Sequence, residues 1–254
     1  MTVPTAAPGR NHAGADPFGD AVLRSWRGGA EPGLAHEIIE RDDGLLTVND
    51  IARYFAPFSA WNVVEQVACE RAGGRILDVG CGPGRHGVHL RRQGFRVLGL
   101  EPSVGAAAVA RERGLDVVEL TADAVATDVG LGLFGTVLLG GQNLGLLESR
   151  DKAPEVLSRL ASVTVPGGYL LGVGIDPYRL SSPEHRAYLE KNRVLGRMPG
   201  QQRFRIRHHA SASPWFDYLF VSGTELEELT AGTPWRLLEL VHDGPLYAAH
   251  FRRR

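Results

Sequence analysis

Strand-like segments alternate with helix-like segments from residue 75 onward in this 254-residue chain. The pattern predicts strands over residues 75–79, 96–100, 116–120, 136–139 and 169–173. Between these strands, the pattern predicts helices over residues 84–93, 103–113 and 149–161. Because strands joined by a helix pair in parallel through right-handed crossovers, we expect a parallel sheet with helices on both faces.

The end of the chain predicts a different connection. Residues 235–241 and 246–251 have strand character, and the short link between them permits only an antiparallel pair. Ser222 and Glu225 have the spacing of a capping box. They predict a helix that begins after Ser222 and runs to Leu229, before these two strands. We therefore expect an α/β fold with seven strands, mostly parallel, that closes with an antiparallel hairpin.

Three further segments complete the predicted organisation. Residues 1–16 hold no continuous apolar stretch, so we expect a disordered tail and not a signal peptide. Residues 17–73 show apolar side chains at helical spacing and are predicted to form a mostly helical N-terminal cap or lid. Residues 74–254 form the predicted main domain, in which 176–221 is an insertion that shapes a substrate pocket and holds a further hairpin.

Composition excludes several function classes. The net charge of −1 gives no basic field for nucleic acid or an anionic membrane. The two cysteines lack metal-ligand or disulfide spacing, which favours a reduced, cytoplasmic setting. No apolar stretch is long enough to predict a membrane span. We expect a monomer or homodimer.

The most informative motif is the glycine-rich segment that follows the first predicted strand. It reads Asp-Val-Gly-Cys-Gly-Pro-Gly from Asp78 and includes Gly80, Gly82 and Gly84. Glycine permits positive φ and lets a ligand approach the backbone closely. The N–H groups at the start of the next helix would face that ligand. An ordinary tight βα turn is the alternative reading.

Two acids follow the next two strands at the same predicted sheet edge. Glu101, followed by Pro102, is placed to accept both hydroxyls of a ribose. Asp123, followed by Ala124, is placed to accept the exocyclic amine of an adenine. The alternatives are an acid at a helix N-terminus for Glu101 and a solvated loop acid for Asp123.

With these motifs, residues 75–173 and 222–253 resemble the Rossmann-like core and closing hairpin of class I S-adenosylmethionine-dependent methyltransferases. The resemblance implies S-adenosyl-L-methionine as cofactor, with Gly80, Gly82 and Gly84 along its methionine and ribose. It implies ribose binding by Glu101 with Pro102, adenine binding by Asp123 with Ala124, and orientation of the amino group by Asp78. It also implies that Gly140 and Gly141 lie under the sulfonium.

Other functions also fit parts of the pattern. Residues 82–87 match the Gly-x-Gly-x-x-Gly spacing of nicotinamide-dependent oxidoreductases, but this frame begins three residues beyond Val79. An enzyme that binds S-adenosylmethionine and catalyses a non-methylating reaction is a second alternative. A noncatalytic partner subunit with this fold is a third.

Two segments are candidates for the pocket of a methyl acceptor. The aromatic stretch around Tyr54 suits a lid over the cofactor, although simple packing is the alternative. In the insertion, His185 is a candidate base, and so is His208; each is alternatively a surface histidine. Asn143, after the fourth strand of the main domain, is a candidate hydrogen-bond partner of the acceptor or of the loop backbone.

Absent motifs narrow the predicted chemistry. The fourth strand ends in Gly-Gly-Gln-Asn, which disfavours amino methylation of adenine or glutamine side chains, and no cysteine follows that strand. No carboxylate cluster for magnesium follows it either, so we expect no metal. The sequence therefore predicts metal-independent O-, N- or C-methylation of a small metabolite, with secondary-metabolite biosynthesis as one setting.

Overall fold

The computed structural model describes residues 15–126 and 130–254, and these residues form two β-sheets and seven α-helices. The strands are β1 His36–Arg41, β2 Leu46–Asp50, β3 Ile76–Val79, β4 Val97–Leu100, β5 Asp116–Val118, β6 Phe134–Leu139, β7 Thr164–Ile175, β8 Gln201–His208, β9 Ser211–Ala212, β10 Phe216–Leu219, β11 Trp235–Asp243 and β12 Leu246–Arg253. The helices are α1 Pro17–Arg27, α2 Val63–Glu70, α3 Arg85–Arg92, α4 Val104–Glu112, α5 Ala153–Ser162, α6 Pro183–Val194 and α7 Gly223–Thr230.

The main sheet has seven strands in the order β11-β12-β7-β6-β3-β4-β5. Strands β3 to β7 pair in parallel, whereas β12 pairs antiparallel with both β7 and β11. All four residues of β3 are buried, as expected for a central strand covered on both faces. This order and the closing hairpin confirm the predicted Rossmann-like fold.

The second sheet joins two parts of the chain that are far apart in sequence. Its order is β10-β8-β1-β2, and β9 pairs with β8. The contact between the two parts is the antiparallel pair β1–β8, in which Ile38 lies opposite Arg207. The N-terminal cap and the insertion after β7 therefore share one sheet, which we call the lid sheet.

The lid sheet corrects the expectation that residues 17–73 are mostly helical. Helices α1 and α2 do form there, but β1 and β2 occupy the middle of the segment. Gly44 turns the chain between them at a φ of 90°. Strand β1 gains a second partner only from β8, and local spacing in the sequence cannot reveal such a distant pairing. The predicted hairpin in the insertion is confirmed, since β8 pairs antiparallel with β10.

The first described residues are already part of the fold. Asp16 caps α1 by accepting a hydrogen bond from the Gly19 N–H, and its other carboxylate oxygen accepts from the Gly105 N–H and the Ser103 hydroxyl. The predicted tail therefore ends before Asp16. Residues 1–14 lie outside the described part of the chain, and the prediction of disorder there stays a prediction. Over the described residues, no helix is long and apolar enough to cross a membrane.

Candidate active site

The turn of residues 80–84, which we call the glycine turn, leads from β3 into α3. Gly80, Gly82 and Gly84 have φ values of 68°, 54° and 85°. A Cβ atom on Gly82 would have only the ring of Phe18 near it, at 3.8 Å, so this residue faces open space. A Cβ on Gly80 would meet Asn143, and one on Gly84 would pack on Val88. Gly82 is therefore the glycine with room for a ligand, and Gly84 serves packing.

Glu101 lies at the carboxyl end of β4 with its carboxylate against the glycine turn. One oxygen accepts a 2.8 Å hydrogen bond from the Gly82 N–H, and the other accepts a 2.8 Å bond from the Ser103 N–H. Burial raises the pKa of Glu101 to about 7, although both N–H groups oppose the shift. Each carboxylate oxygen can still accept another hydrogen bond.

Asp78 is buried in β3, just before the glycine turn. Its side chain is 1% exposed, and neither carboxylate oxygen accepts a hydrogen bond of normal geometry from the described residues. Burial raises the pKa of Asp78; the nearby His86 and the Gly87 N–H oppose this shift. A buried carboxylate with free lone pairs is the arrangement expected of a group that binds a donor in a ligand.

The adenine side of the predicted site lies at the ends of β4 and β5. The Glu101 N–H bonds to the Val118 carbonyl, which holds the two strand ends together. Asp123 lies on a short 3₁₀ turn after β5 and is exposed, with Ala124 partly buried beside it. Pro102 is also exposed. The structure thus brings these residues to one sheet edge, with Asp123 free to meet a ligand.

His86 of α3 lies beneath the end of β6. A Cβ atom on Gly140 would come within 2.7 Å of its Nδ1, and one on Gly141 would be 3.5 Å from the ring. The other ring nitrogen lies 3.3 Å from Glu65, which also pairs with Arg85. The His86 ring therefore occupies the position where a side chain at residue 140 would lie.

Asn143 meets the glycine turn from the loop after β6. Its side-chain N–H groups donate to the carbonyls of Val79 and Gly80 at 3.0 and 2.9 Å. The Tyr218 hydroxyl of the lid sheet donates to the Gln142 carbonyl at 2.9 Å and lies 3.3 Å from Asn143 Oδ1. Asn143 thus satisfies loop backbone groups, one of its two predicted alternatives, and links the lid sheet to the turn.

A carboxylate that the sequence reasoning missed, Glu37 of β1, lies on the lid sheet. It is 1% exposed, and it accepts hydrogen bonds from the Tyr54 hydroxyl at 2.7 Å and from Asn49 at 3.1 Å. Tyr54 packs edge to face on Phe18, the ring nearest to Gly82. Burial raises the pKa of Glu37, and the charge of Glu37 raises the pKa of Tyr218 in addition to burial.

These contacts connect the lid sheet to the glycine turn at two places. One connection runs from Glu37 through Tyr54 and Phe18 to Gly82, and the other runs from Tyr218 through Asn143. Tyr54 and Tyr218 are both partly exposed. The strand pair β1–β2, had it been recognised, would have identified Glu37 as a carboxylate within a lid.

The two candidate histidines lie elsewhere on the lid. His185 of α6 has its Nδ1 3.1 Å from Arg41, which is four residues along β1 from Glu37, roughly 13 Å of extended chain. His208 is buried at the end of β8 with its Nδ1 2.8 Å from the His36 carbonyl. Within the described ranges, neither ring hydrogen-bonds to Asn143 or Glu37, and their catalytic roles stay predictions.

The expectation that the protein needs no metal stays a prediction. Residues 15–126 and 130–254 contain no group of three or more His, Cys, Asp or Glu side chains placed to hold an ion. The candidate site contains backbone N–H groups, three buried acids, one exposed acid and two tyrosine hydroxyls.

Known proteins with similar sequences carry methyltransferase names. Residues 76–168 match a family model described as a methyltransferase domain. A candidate methyltransferase of Geobacillus sp. (strain WCH70) is 28% identical over 124 residues, which are 46% of this chain and 50% of that protein. The chain therefore spans about half the length of the curated relatives it matches.

Solved structures extend the similarity in fold to nearly the whole chain. An S-adenosylmethionine-dependent methyltransferase from Bacteroides fragilis, in complex with S-adenosyl-L-homocysteine, is 19% identical; the match covers 98% of each chain with a TM-score of 0.78. The CcbJ methyltransferase from Streptomyces caelestis is 14% identical over 77% of this chain and 94% of that one, with a TM-score of 0.56. Residues 76–168 therefore resemble a methyltransferase domain, and the fold of the chain is that of solved S-adenosylmethionine-dependent methyltransferases.

Proposed function

We propose that this protein transfers a methyl group from S-adenosylmethionine to a small molecule held between the glycine turn and the lid sheet. The observation that carries the proposal is the placement of Glu37. Its buried carboxylate is connected through Tyr54 and Phe18 to Gly82, the glycine that faces open space. A methyl acceptor in this cleft would meet a proton-accepting group on the lid.

Four residues would hold the cofactor. Gly82 leaves the space for its ribose and methionine portions, and Glu101 keeps lone pairs for the ribose hydroxyls. Exposed Asp123 would accept the adenine amine. Asp78, whose buried oxygens accept no hydrogen bond of normal geometry from the described residues, would accept a hydrogen bond from the amino group of the methionine portion. The residues present therefore fit the group that the family uses.

When bound, this cofactor supplies an activated methyl group and its own leaving group. The chain must then align an acceptor atom, exclude water and remove a proton where the acceptor carries one. Burial raises the pKa of Glu37, which brings the carboxylate closer to the proton affinity that a general base needs near neutral pH. We propose that Glu37 Oε2 receives the acceptor proton, because Oε1 already accepts from Tyr54 and Asn49.

A small acceptor is favoured by how closely the lid covers the turn. The Tyr218 hydroxyl reaches the backbone of the loop after β6, and a Cβ on Gly145 would collide with the Tyr218 ring. A macromolecule would have to displace this contact to reach Gly82. An O–H or N–H acceptor fits best, since either provides the proton that Glu37 would take. A place in secondary-metabolite biosynthesis would suit such a substrate.

The test compares two carboxylates on one strand. Glu37 faces Tyr54, whereas Glu40 pairs with Arg205 and Arg207. Wild type, Glu37→Gln and Glu40→Gln are incubated with S-adenosylmethionine and a panel of small alcohols, phenols and amines. Product mass and released S-adenosylhomocysteine are measured. We expect methylated product from wild type and Glu40→Gln, and a rate about 10²–10⁴-fold lower for Glu37→Gln with unchanged cofactor affinity.

The other outcomes separate the alternatives. Turnover without added methyl mass would favour a non-methylating reaction that uses the same cofactor. Equal rates for Glu37→Gln and Glu40→Gln would remove Glu37 as the base and return His185 and His208 to consideration. Absence of cofactor binding in wild type would contradict the proposed function itself.

A further inference from the structure

A cavity of about 410 Å³ lies against α3, apart from the space proposed for the methyl acceptor. We call it the arginine groove; its principal residues are Trp26, Phe55, Trp61, Arg85, Arg92 and Arg113. Two neighbouring residues mark its separation from the cleft described above. Tyr54 bonds to Glu37 on the cleft side, whereas Phe55 lines the groove.

The turn itself also separates the two spaces. Gly82 faces Phe18 and the cleft, whereas the next carbonyl, of Pro83, accepts a hydrogen bond from Arg113 in the groove. A ligand in the groove would therefore not occupy the space beside Gly82. Binding there is a property separate from the proposed methyl transfer.

Flat rings form the walls of the groove. Trp26 and Phe55 stack with ring centroids 5.6 Å apart and an interplanar angle of 22°. On the other wall, Phe58 and His89 stack at 4.4 Å and 3°. Surfaces of this kind favour a ligand with a planar, apolar ring.

Positive charge is concentrated in the same place. Three arginines line the groove, and no carboxylate is among the lining residues. Arg113 lies 5.1 Å over the Phe55 ring; burial, together with the charge of Arg92, lowers the pKa of Arg113 to about 10. Arg92 and Arg113 therefore place two positive charges close together in the groove.

Several polar groups of the groove lack a hydrogen-bond partner among the described residues. Arg85 pairs with Glu65 through its terminal nitrogen, but its buried Nε has no hydrogen-bond partner among the described residues. The buried Nε2 of His89 also lacks one. Arg92 is exposed and forms no hydrogen bond or ion pair within residues 15–126 and 130–254. Buried polar groups are normally satisfied, so Arg85 Nε and His89 Nε2 indicate a missing hydrogen-bond partner.

We propose that the arginine groove binds a small aromatic anion, such as an aryl phosphate or aryl carboxylate. Its ring would pack between the aromatic walls, and its anionic group would accept hydrogen bonds from the arginines. Arginine provides this combination because its planar group stacks on rings and binds oxyanions in a bidentate manner.

The test is calorimetric titration of the full chain with phenyl phosphate, with and without saturating S-adenosylhomocysteine. Phenol and inorganic phosphate each provide half of the proposed ligand. Arg92→Gln removes one exposed charge of the groove. Arg91→Gln removes the same charge from the neighbouring residue of α3, which is exposed and does not line the groove. Arg92→Glu reverses the charge.

We expect phenyl phosphate to bind more tightly than either half. Arg92→Gln should weaken binding about tenfold, and Arg92→Glu should weaken it further, while Arg91→Gln binds as wild type does. S-adenosylhomocysteine should not compete. No binding of phenyl phosphate, equal binding of phenol or inorganic phosphate, equal effects of the two glutamine variants, or competition by S-adenosylhomocysteine would each overturn the proposal.

Discussion

The backbone N–H of Gly82 donates a 2.8 Å hydrogen bond to Oε2 of Glu101. This bond fixes the acid at the end of β4 against the turn that follows β3. The N–H groups of Gly82 and Ser103 hold the Glu101 carboxylate beside the turn before a ligand binds. Preorganisation of this kind lowers the entropic cost of binding.

Removal of the Glu101 carboxylate should weaken cofactor binding. Glu101→Ala deletes an acceptor for the ribose and leaves the Gly82 N–H without its partner, so we expect S-adenosylhomocysteine to bind about 1–3 kcal/mol more weakly. Calorimetric titration measures this. Asp116→Ala, an exposed acid at the start of β5, is the control and should bind normally. Wild-type affinity in Glu101→Ala would reject the assigned role.

Glu101 should also make stability depend on pH. Burial raises its pKa from 4.5 to about 7, and nearby Asp16 and Asp78 add to the shift. Between these values the folded state keeps a proton that the unfolded state loses, so the free energy of unfolding falls as pH rises from about 4.5 to 7. The full change is on the order of 3 kcal/mol. Urea unfolding of wild type and Glu101→Gln at pH 5 and pH 8 tests this.

Glu101→Gln cannot ionise at position 101. Its comparison with wild type therefore separates the contribution of Glu101 to the pH dependence of stability from that of Asp78, whose pKa is also raised by burial. Wild type should lose more stability between the two pH values than Glu101→Gln does. Parallel losses would mean that Glu101 is ionised normally in the folded state.

Gly82→Ala and Gly84→Ala should differ in cofactor binding. Both positions have positive φ, so either alanine should cost about 1–2 kcal/mol of stability. Only at Gly82 would the new methyl group enter open space, where the cofactor is proposed to lie; at Gly84 it would press on Val88. We expect Gly82→Ala to lose at least tenfold in affinity for S-adenosylhomocysteine, and Gly84→Ala to keep the affinity of wild type. Equal affinities would place the ligand elsewhere.

The sequence predicted the main sheet well because its signals are local. Buried runs such as β3, the glycines after it and the short link between β11 and β12 each specify a connection within a few residues. The motif also predicted that Glu101 would meet the glycine turn, and the bond to Gly82 shows that it does.

The lid was predicted poorly because its signals are not local. Glu37 lies in a strand whose partner β8 begins more than 160 residues later in the chain. Without that pairing, Tyr54 was recognised as an aromatic lid residue but not as the donor to a buried acid. The sequence indicates His185 and His208 because both fall in the insertion, but it does not reveal their contacts, such as the one between His185 and Arg41.

Asp78→Asn should bind the cofactor more weakly than wild type and should be more stable than wild type at high pH. The buried carboxylate has no normal hydrogen bond among the described residues, and burial raises its pKa, so its ionisation opposes folding. Above the ordinary pKa of aspartate, the stability of wild type should fall with pH relative to Asp78→Asn. The amino group of S-adenosylhomocysteine should at the same time lose its anionic partner.

Urea unfolding at pH 5 and pH 8 and calorimetry with S-adenosylhomocysteine measure the two effects on the same proteins. Asp116→Asn removes an exposed carboxylate and should change neither. If Asp78→Asn binds S-adenosylhomocysteine as tightly as wild type, the buried carboxylate does not contact the cofactor. If its stability changes with pH in parallel with that of wild type, Asp78 is ionised in the folded protein over this range, as it is in the unfolded chain. Loss of affinity together with a gain in relative stability at pH 8 would show that the fold keeps an unfavourable buried charge because the ligand needs it.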